Sequence, residues 1–525
     1  MVAMEPIAAE PSDPAGAPPR RRVWRRPVLL VALLAFTALL LGAGALAVVW
    51  WRAPVSTVGD LDFRNALRIP PLAEREVTTD GTVQFSLDLA PGRTEFLEGK
   101  RTPTWGFDGT YLGPTLRATR GERVAVDVTN STPETTTVHW HGMHLPAASD
   151  GGPHQTIAPG DTWSPSWTVD QPATTLWFHP HLHGRTAQHV YRGASGMFIV
   201  DDPAEQALAL PRTYGVDDVP VIVQDRAFDD DGRFEERRPF LSSVGVLGDE
   251  ILVNGTYDPH LRVTTERVRL RVLNASNARI YDLQFDDESR FDLVGTDGGL
   301  LPAPVRMRSL LLSPGERAEL VVTMRPGERR VLRSVEPDLG VDLFNERFAG
   351  GADSFDLLQL RAAPELEPSP AVPSELVAFD PPTRAEASRT RKFELGENTI
   401  NGDKMRLDRI DEVVELDSTE VWAITNEHAQ PHSFHPHLVQ FAVLTVDGRR
   451  PPPQLRGWKD TVYVPPDATV RVIARFEDYA DPDIPYMFHC HVLKHEDDGM
   501  MGQFVVVLPG QGAGTPPPTP DDHAH

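Results

Sequence analysis

Cysteine is almost missing: a chain of 525 residues keeps one, Cys490. A single thiol excludes an intramolecular disulfide framework, although large domains bury enough surface to be exported without one. Positive charge is scarce too, with 51 Lys and Arg against 75 Asp and Glu and a formal net charge of −24. Such a surface repels nucleic acid and argues against it as a partner. Methionine is sparse at 10 residues. Long helical periodicities are few, while 49 prolines and 40 glycines punctuate short alternating runs, the composition of many short strands joined by turns.

One long apolar run is present. RRRVWRRP (20–27) leads into VLLVALLAFTALLLGAGALAVVWW (28–51), 24 uncharged residues, where about 20 suffice to span a bilayer. The five arginines ahead of it place residues 1–27 in the cytoplasm and the main body outside. Ala45-Leu46-Ala47 also resembles a signal-peptidase site, and Arg25-Arg26 a twin-arginine signal, which would give a secreted protein. The length of the run and the interfacial pair Trp50-Trp51 favour a retained anchor.

The length allows about three or four domains, and the body repeats itself. ERVAVDVTNST (122–132), ERVRLRVLNAS (266–276) and TEVWAITNEHA (419–429) are alternating strands that each stop at an asparagine: Asn130, Asn274 and Asn426. APGDTWSPSWTV (158–169), SPGERAELVV (313–322) and PPDATVRVIARF (465–476) follow in the same phase as proline-led turns entering strands. Alternation of period two buries one face of a sheet. The pattern predicts three tandem β-sandwiches, with linkers near 203–215 and 363–390 and a disordered tail at 510–525.

Cys490 sits in YMFHCHVLKHEDDGMM (486–501), between His489 and His491, with His495 five residues on and Met500 ten on. Two imidazoles, a thiolate and a weak axial thioether form the ligand set of a blue-copper electron-transfer site. Eight of the 18 histidines fall into four H-x-H pairs: His139 and His141, His179 and His181, His435 and His437, His489 and His491. In a strand, residues i and i+2 face one way and i+1 the other. Cys490 therefore faces away from its flanking histidines. His432, three residues before His435, faces away from His435 and His437 and can join Cys490. The expected mononuclear site is His432, Cys490, His495 and Met500. Eight imidazoles are too many for one metal and divide among three coppers as three, three and two. His181 and His183 also form an H-x-H pair, and spacing alone does not choose between that pair and His179 with His181.

The segments HWHG, WFHPHLHG, HSFHPHL and HCHVLKHEDDGMM resemble, in order and spacing, the four copper motifs of the multicopper oxidase family. The likeness covers most of residues 70–508 and is most like the three-domain group of laccases, bilirubin oxidases and bacterial cuprous oxidases. The resemblance implies an all-β fold of three cupredoxin-like Greek-key β-sandwich domains, at 70–203, 215–362 and 390–508. It implies four copper ions: a mononuclear blue site and a trinuclear cluster between the first and third domains. His139 and His435 would hold the lone cluster copper. His141, His179, His181, His437, His489 and His491 would hold the coupled pair, with His183 outside the ligand set and the middle domain contributing none. His144, His154, His189 and His260, which lack a pairing partner, are expected to be ordinary polar or core residues, and His523 and His525 belong to the tail.

Reducing dioxygen to water consumes four protons, which carboxylates near the cluster would relay. Asp150 in SDGGP and Glu496 beside His495 match acidic positions of the family and are the expected catalytic residues, although Asp-Gly-Gly is also a tight-turn signal. The expected reaction is one-electron oxidation of phenol-like or other small donors coupled to reduction of dioxygen. Cu(I), Fe(II) or Mn(II) are the alternative donors. Cuprous oxidases of this family carry a methionine-rich insert before the third domain, whereas residues 344–370 contain no methionine. Glu427 and His428, near His432, suit a phenol hydroxyl or a hard metal ion equally. A copper nitrite reductase would need one copper beyond the blue one, and an envelope scaffold of this family would have lost its ligands. Dioxygen, a small donor and the membrane are the expected partners, and the protein is expected to be a monomer.

Overall fold

The computed structural model describes residues 25–238 and 241–518, so most of the basic leader and the tail histidines His523 and His525 lie outside the described residues. The chain divides into a unit ending at Ala53 and a main unit from Pro54. The first is the helix Arg25–Arg52, 28 residues and about 42 Å long at 1.5 Å per residue. Its leucines and valines from Leu29 to Val49 are exposed along its length. Among the described residues it is the one helix long and apolar enough to cross a membrane.

The main unit is built from strands, and its three repeats are real. Arg123–Asn130, Arg267–Asn274 and Ser418–Asn426 each lie inside a sheet with a parallel neighbour on one side, Val83–Thr94, Asp218–Arg226 or Arg389–Leu395. The antiparallel neighbour on the other side follows the proline-led turn: Ser166–Thr168, Arg317–Thr323 or Thr469–Phe476. The asparagine ending each central strand explains why the motif recurs. Asn130 donates to Glu134 O and Ile157 O, Asn274 to Arg279 O and Leu312 O, and Asn426 to Gln430 O and Val464 O. The second carbonyl always lies just before the proline-led turn. Each side-chain oxygen accepts the backbone N–H two residues on. A buried amide left unpaired costs about 1–3 kcal/mol, so each asparagine bolts a loop to a turn with no polar group wasted.

Each of these sheets faces a second one across its own apolar core. In the first sandwich the second sheet runs 116–119, 196–201, 174–179, 139–141; in the third it runs 412–415, 501–507, 481–490, 432–436, 462–464. The middle sandwich holds one feature that the sequence does not announce. Asn65–Ala66, ahead of the first sandwich, pairs in parallel with Pro259–His260, and Leu67 enters the middle core. The chain thus crosses the middle sandwich before it builds the first. The strand Phe355–Glu367 also runs into the expected linker. The described part of the tail is neither helix nor strand, and it is tied by Gly514 N to Pro482 O and Thr515 N to Asp483 Oδ1.

Candidate metal centre

Two antiparallel strand pairs carry most of the chemistry. In the first sandwich His139–His141 lies against Thr174–His179, with His139 opposite His179 and His141 opposite Trp177. In the third, His432–Pro436 lies against Asp481–Cys490, with His435 opposite His489 and Phe434 opposite Cys490. Alternation then sorts the side chains. Trp140 packs into the first core, and Phe434 and Cys490 pack into the third, while the histidines beside them face the space between the two sandwiches.

Eight imidazoles meet there, none more than 1% exposed. Their nitrogens form three groups, each within 4.8 Å: His139, His141 and His435; His141, His179 and His491; His181, His437 and His489. The ring pairs His139–His437 and His141–His435 stack across the sandwiches with centroids 3.7 Å apart, and His181 Nε2 lies 3.1 Å from His489 Nε2. His183 is in none of the groups.

For five of the rings, hydrogen bonds at the rear decide which nitrogen faces inward. The Nδ1–H groups of His139, His179, His435 and His437 donate to Asp150 O, Pro180 O, Asp460 O and Asp150 Oδ2 at 2.7–2.9 Å. Their Nε2 atoms are buried without a partner. His141 is turned round: Nε2 lies 3.2 Å from Asp460 Oδ1 and 3.0 Å from Thr461 Oγ1, and Nδ1 is the unpartnered atom. A neutral imidazole that donates through one nitrogen offers a lone pair at the other. Burial holds His139, His141, His179, His181, His435, His437 and His491 below the ordinary imidazole pKa, so they are neutral ligands rather than cations. Each buried nitrogen left unpaired costs about 1–3 kcal/mol, and cations among them would remove that cost.

Three buried carboxylates stand behind the rings, each touching one imidazole from each sandwich. Asp150 reaches His437 Nδ1 at 2.7 Å and His139 Nδ1 at 3.5 Å. Glu496 reaches His489 Nδ1 at 3.1 Å and His181 Nδ1 at 3.6 Å. Asp460 reaches His141 Nε2 at 3.2 Å and His435 Nδ1 at 3.8 Å. Burial pushes the Asp150 carboxyl well above the usual carboxylate range. Burial also acts on Glu496, but His181 and His489 outweigh it and hold that carboxyl low. Asp150 also fulfils its turn reading: Gly151 has φ +78°, and a Cβ there would meet Val138 O at 1.8 Å. Asp460 is the residue that sequence reasoning missed. Its segment GWKD carries no histidine, and the only signal is a Lys-Asp pair just ahead of a short apolar strand.

On the other side of the Asp481–Cys490 strand, Cys490 Sγ lies 3.4 Å from His432 Nδ1 and 3.7 Å from His495 Nδ1. All three residues are buried. Burial pushes the thiol up to about 12, so a cation is needed to hold the thiolate at neutral pH. His495 Nε2 donates to Ser243 O at 3.3 Å, which fixes that ring from the far side. Met500 shares the third core with Cys490, whereas Met501 packs with Met405 and Met487.

Multicopper oxidase family models match residues 88–205 and 376–509. The chain is 33% identical over 452 residues to Multicopper oxidase mco of Staphylococcus haemolyticus, covering 84% of this chain and 93% of that one. It belongs to the multicopper oxidase family. It is also 37% identical over 469 residues to Cell division protein FtsP of Xenorhabdus nematophila, covering 88% and 97% of the two chains. Among solved structures, the laccase-like multi-copper oxidase CueO of Ochrobactrum sp. is similar at a TM-score of 0.77 and 36% identity, covering 84% and 100%. That protein is described as an oxidase of lignin model compounds and lignosulfonate.

Multicopper oxidases bind copper, and the donors here fit it: borderline imidazoles in one set, imidazoles with a soft thiol and a nearby thioether in the other. Four other histidines of this family member have ordinary partners. His144 meets Leu438 O, His154 meets Gln503, His189 meets Glu134 and His260 meets Phe63 O.

Proposed function

We propose that the protein is a copper-dependent oxidase that takes single electrons from small donors and reduces dioxygen to water. The observation that carries this reading is the pair of donor sets on opposite faces of one strand. In it His432, Cys490, His495 and Met500 would hold a mononuclear copper. His139 and His435 would hold one cluster copper, and His141, His179, His181, His437, His489 and His491 would hold the other two. Copper, when bound, supplies the one-electron chemistry and the reduction of dioxygen. The chain supplies the rest. Cys490 links the two sets through its own peptide neighbours, His489 and His491, so only electrons need to cross and the donor stays outside. Asp150 and Glu496 hold and deliver protons at His437 Nδ1 and His489 Nδ1, since neither carboxylate forms an ion pair with a Lys or Arg among the described residues.

The donor in this reading is a phenol or a similar one-electron reductant. The relative from Ochrobactrum is described with lignin-type substrates, and residues 344–370 lack the thioethers that suit Cu(I). The helix Arg25–Arg52 is a retained anchor that holds the main unit outside the cytoplasm. A second reading, a part in cell division, follows from the likeness to FtsP; the complete donor set favours the oxidase.

The test is copper content and oxygen uptake of the purified protein, with kcat/KM compared for a substituted phenol and for Cu(I), with and without added Cu(II). About four coppers per chain and phenol turnover without extra Cu(II) support the reading. Strong Cu(I) preference, or phenol turnover only with added Cu(II), replaces it with a metallo-oxidase. A chain that takes up no copper leaves the cell-division reading.

A further inference from the structure

The middle sandwich carries none of the imidazoles, yet one of its turns reaches the cluster. Arg317, at the end of the Ser313–Arg317 turn, is fully buried, and all five of its guanidinium N–H donors are placed. Nε donates to Thr175 O at 2.8 Å, on the first-sandwich strand that ends in His179. Nη1 donates to Gly315 O and Asp460 Oδ1, and Nη2 to Asp297 O and Asp460 Oδ2, with both Asp460 bonds at 2.6 Å. The fork is bidentate on a carboxylate of the third sandwich, the geometry in which Arg binds most specifically. The same segment is gripped again beside it, where Lys459 Nζ meets Asp297 at 2.8 Å and Glu316 at 2.6 Å.

Asp460 spends its remaining capacity on the cluster. Its Oδ1 faces His141 Nε2 at 3.2 Å, its backbone oxygen takes the His435 Nδ1–H at 2.7 Å, and Thr461 Oγ1 lies 3.0 Å from His141 Nε2. His141 and His435 are one of the two stacked pairs that join the two ligand-bearing sandwiches. Room for the arrangement has been left at Gly142, whose φ is +83° and where a Cβ would meet Asp460 Oδ2 at 2.3 Å and Arg317 Nη2 at 2.8 Å.

We infer that the Arg317–Asp460 ion pair is a positioning device through which the middle sandwich sets the rings of His141 and His435, and with them the copper affinity of the cluster. The inference rests on the oxidase reading above. Its physical basis is tautomer control. An acceptor fixed at His141 Nε2 keeps the proton there and leaves Nδ1 free for metal, and losing such rear partners costs roughly 10–100-fold in metal affinity. Asp460 differs in kind from Asp150 and Glu496, because a guanidinium locks it as an acceptor and denies it a relay role.

The test uses the full chain with Asp460→Asn and Arg317→Lys. Asp460→Asn is isosteric but places an amide opposite Arg317, and Arg317→Lys keeps the charge but cannot offer the fork. Copper per chain, the visible band of the mononuclear site, the electron paramagnetic resonance spectrum of the cluster and the melting temperature of copper-free protein are read for each. The expected result is an unchanged visible band, an altered cluster spectrum and cluster copper released at about 10–100-fold lower chelator concentration than in the parent, with Arg317→Lys intermediate. Parent-like copper retention and spectrum in both variants overturn the inference. So does loss of the visible band together with the cluster, since that means general loosening. If Asp460→Asn does not fold, Arg317→Lys decides by the same criteria. A parent that binds no copper sinks the oxidase reading itself; a copper-loaded parent with indifferent variants sinks this inference alone.

Discussion

Cys490 and His489 are neighbours in one strand and serve opposite sides of it: Cys490 Sγ lies 3.4 Å from His432 Nδ1, while His489 Nε2 lies 3.1 Å from His181 Nε2. The period-two alternation of a strand is the whole cause. A thiolate in a trigonal two-imidazole site gives copper its intense visible band. Cys490→Ser is therefore expected to be colourless and inactive in oxygen uptake while keeping the copper held by the eight clustered imidazoles, about three-quarters of the parent's content. Absorption spectra and metal analysis check it. A variant that stays blue would show that the thiol is not the ligand.

The axial position is open to a direct comparison. Met500 lies in the apolar core that holds Cys490, and Met501 in a separate cluster with Met405 and Met487. Met500→Leu removes a weak donor and is expected to raise the reduction potential of the mononuclear site with its band retained. Met501→Leu is expected to leave the potential where it was and to cost under about 1.5 kcal/mol of stability as a volume-conserving exchange. A redox titration showing the reverse pattern would exchange their roles.

Asp150 and Glu496 differ in how they hold a proton. Burial raises Asp150, whereas the imidazoles His181 and His489 outweigh burial at Glu496 and keep it low. Asp150→Asn and Glu496→Gln keep shape and lose proton transfer. Oxygen uptake at saturating donor, per bound copper, is expected to fall roughly 10²–10⁴-fold in each; because both carboxylates also stand behind ligand rings, rates are compared on copper-loaded protein. The discriminating measurement is anaerobic reduction by the donor, which does not involve these carboxylates and should proceed at the parent rate. A parallel slowing of that step would place both residues outside proton delivery.

Much of this was legible in the sequence because it rests on local periodicities. The four H-x-H pairs and the odd offset of His432 follow from alternation, and the three strands ending at Asn130, Asn274 and Asn426 give the repeat. Asp460 was not legible, because its importance comes from Arg317, 143 residues away, and no local pattern encodes a turn of one sandwich reaching a loop of another. The pairing of Asn65–Ala66 with Pro259–His260 was hidden for a similar reason: a two-residue strand has no period to read. Spacing left the pair His179 and His181 and the pair His181 and His183 equally open; the family resemblance chose the first, and it is His179 and His181, not His183, that lie in the clustered groups.

The first and middle sandwiches are joined by a second buried charge network, and its acid sensitivity has a defined sign. Glu319, on the middle sandwich, accepts from Arg269 Nε and Arg271 Nη1 at 2.9 Å each and from Thr175 Oγ1 at 2.6 Å. Burial alone would raise its carboxyl, but the two guanidiniums outweigh burial and bring it from 4.5 down to about 2. A carboxylate whose folded pKa is depressed adds stability that is complete above its unfolded pKa and lost as pH falls through the folded one. The Glu319 contribution should therefore be constant above about pH 5.5 and vanish between roughly pH 4.5 and 2. Glu319→Gln leaves Arg269 and Arg271 short of a charge partner and should cost about 3–5 kcal/mol at pH 7. The gap between parent and variant should shrink steadily as pH falls below 4.5. Urea midpoints of copper-free protein across pH 7 to 3 read the gap directly, with other acid-labile groups cancelling between the two chains. A gap that stays the same at pH 3 as at pH 7 would mean that Glu319 contributes through its shape and hydrogen bonds and not through its charge.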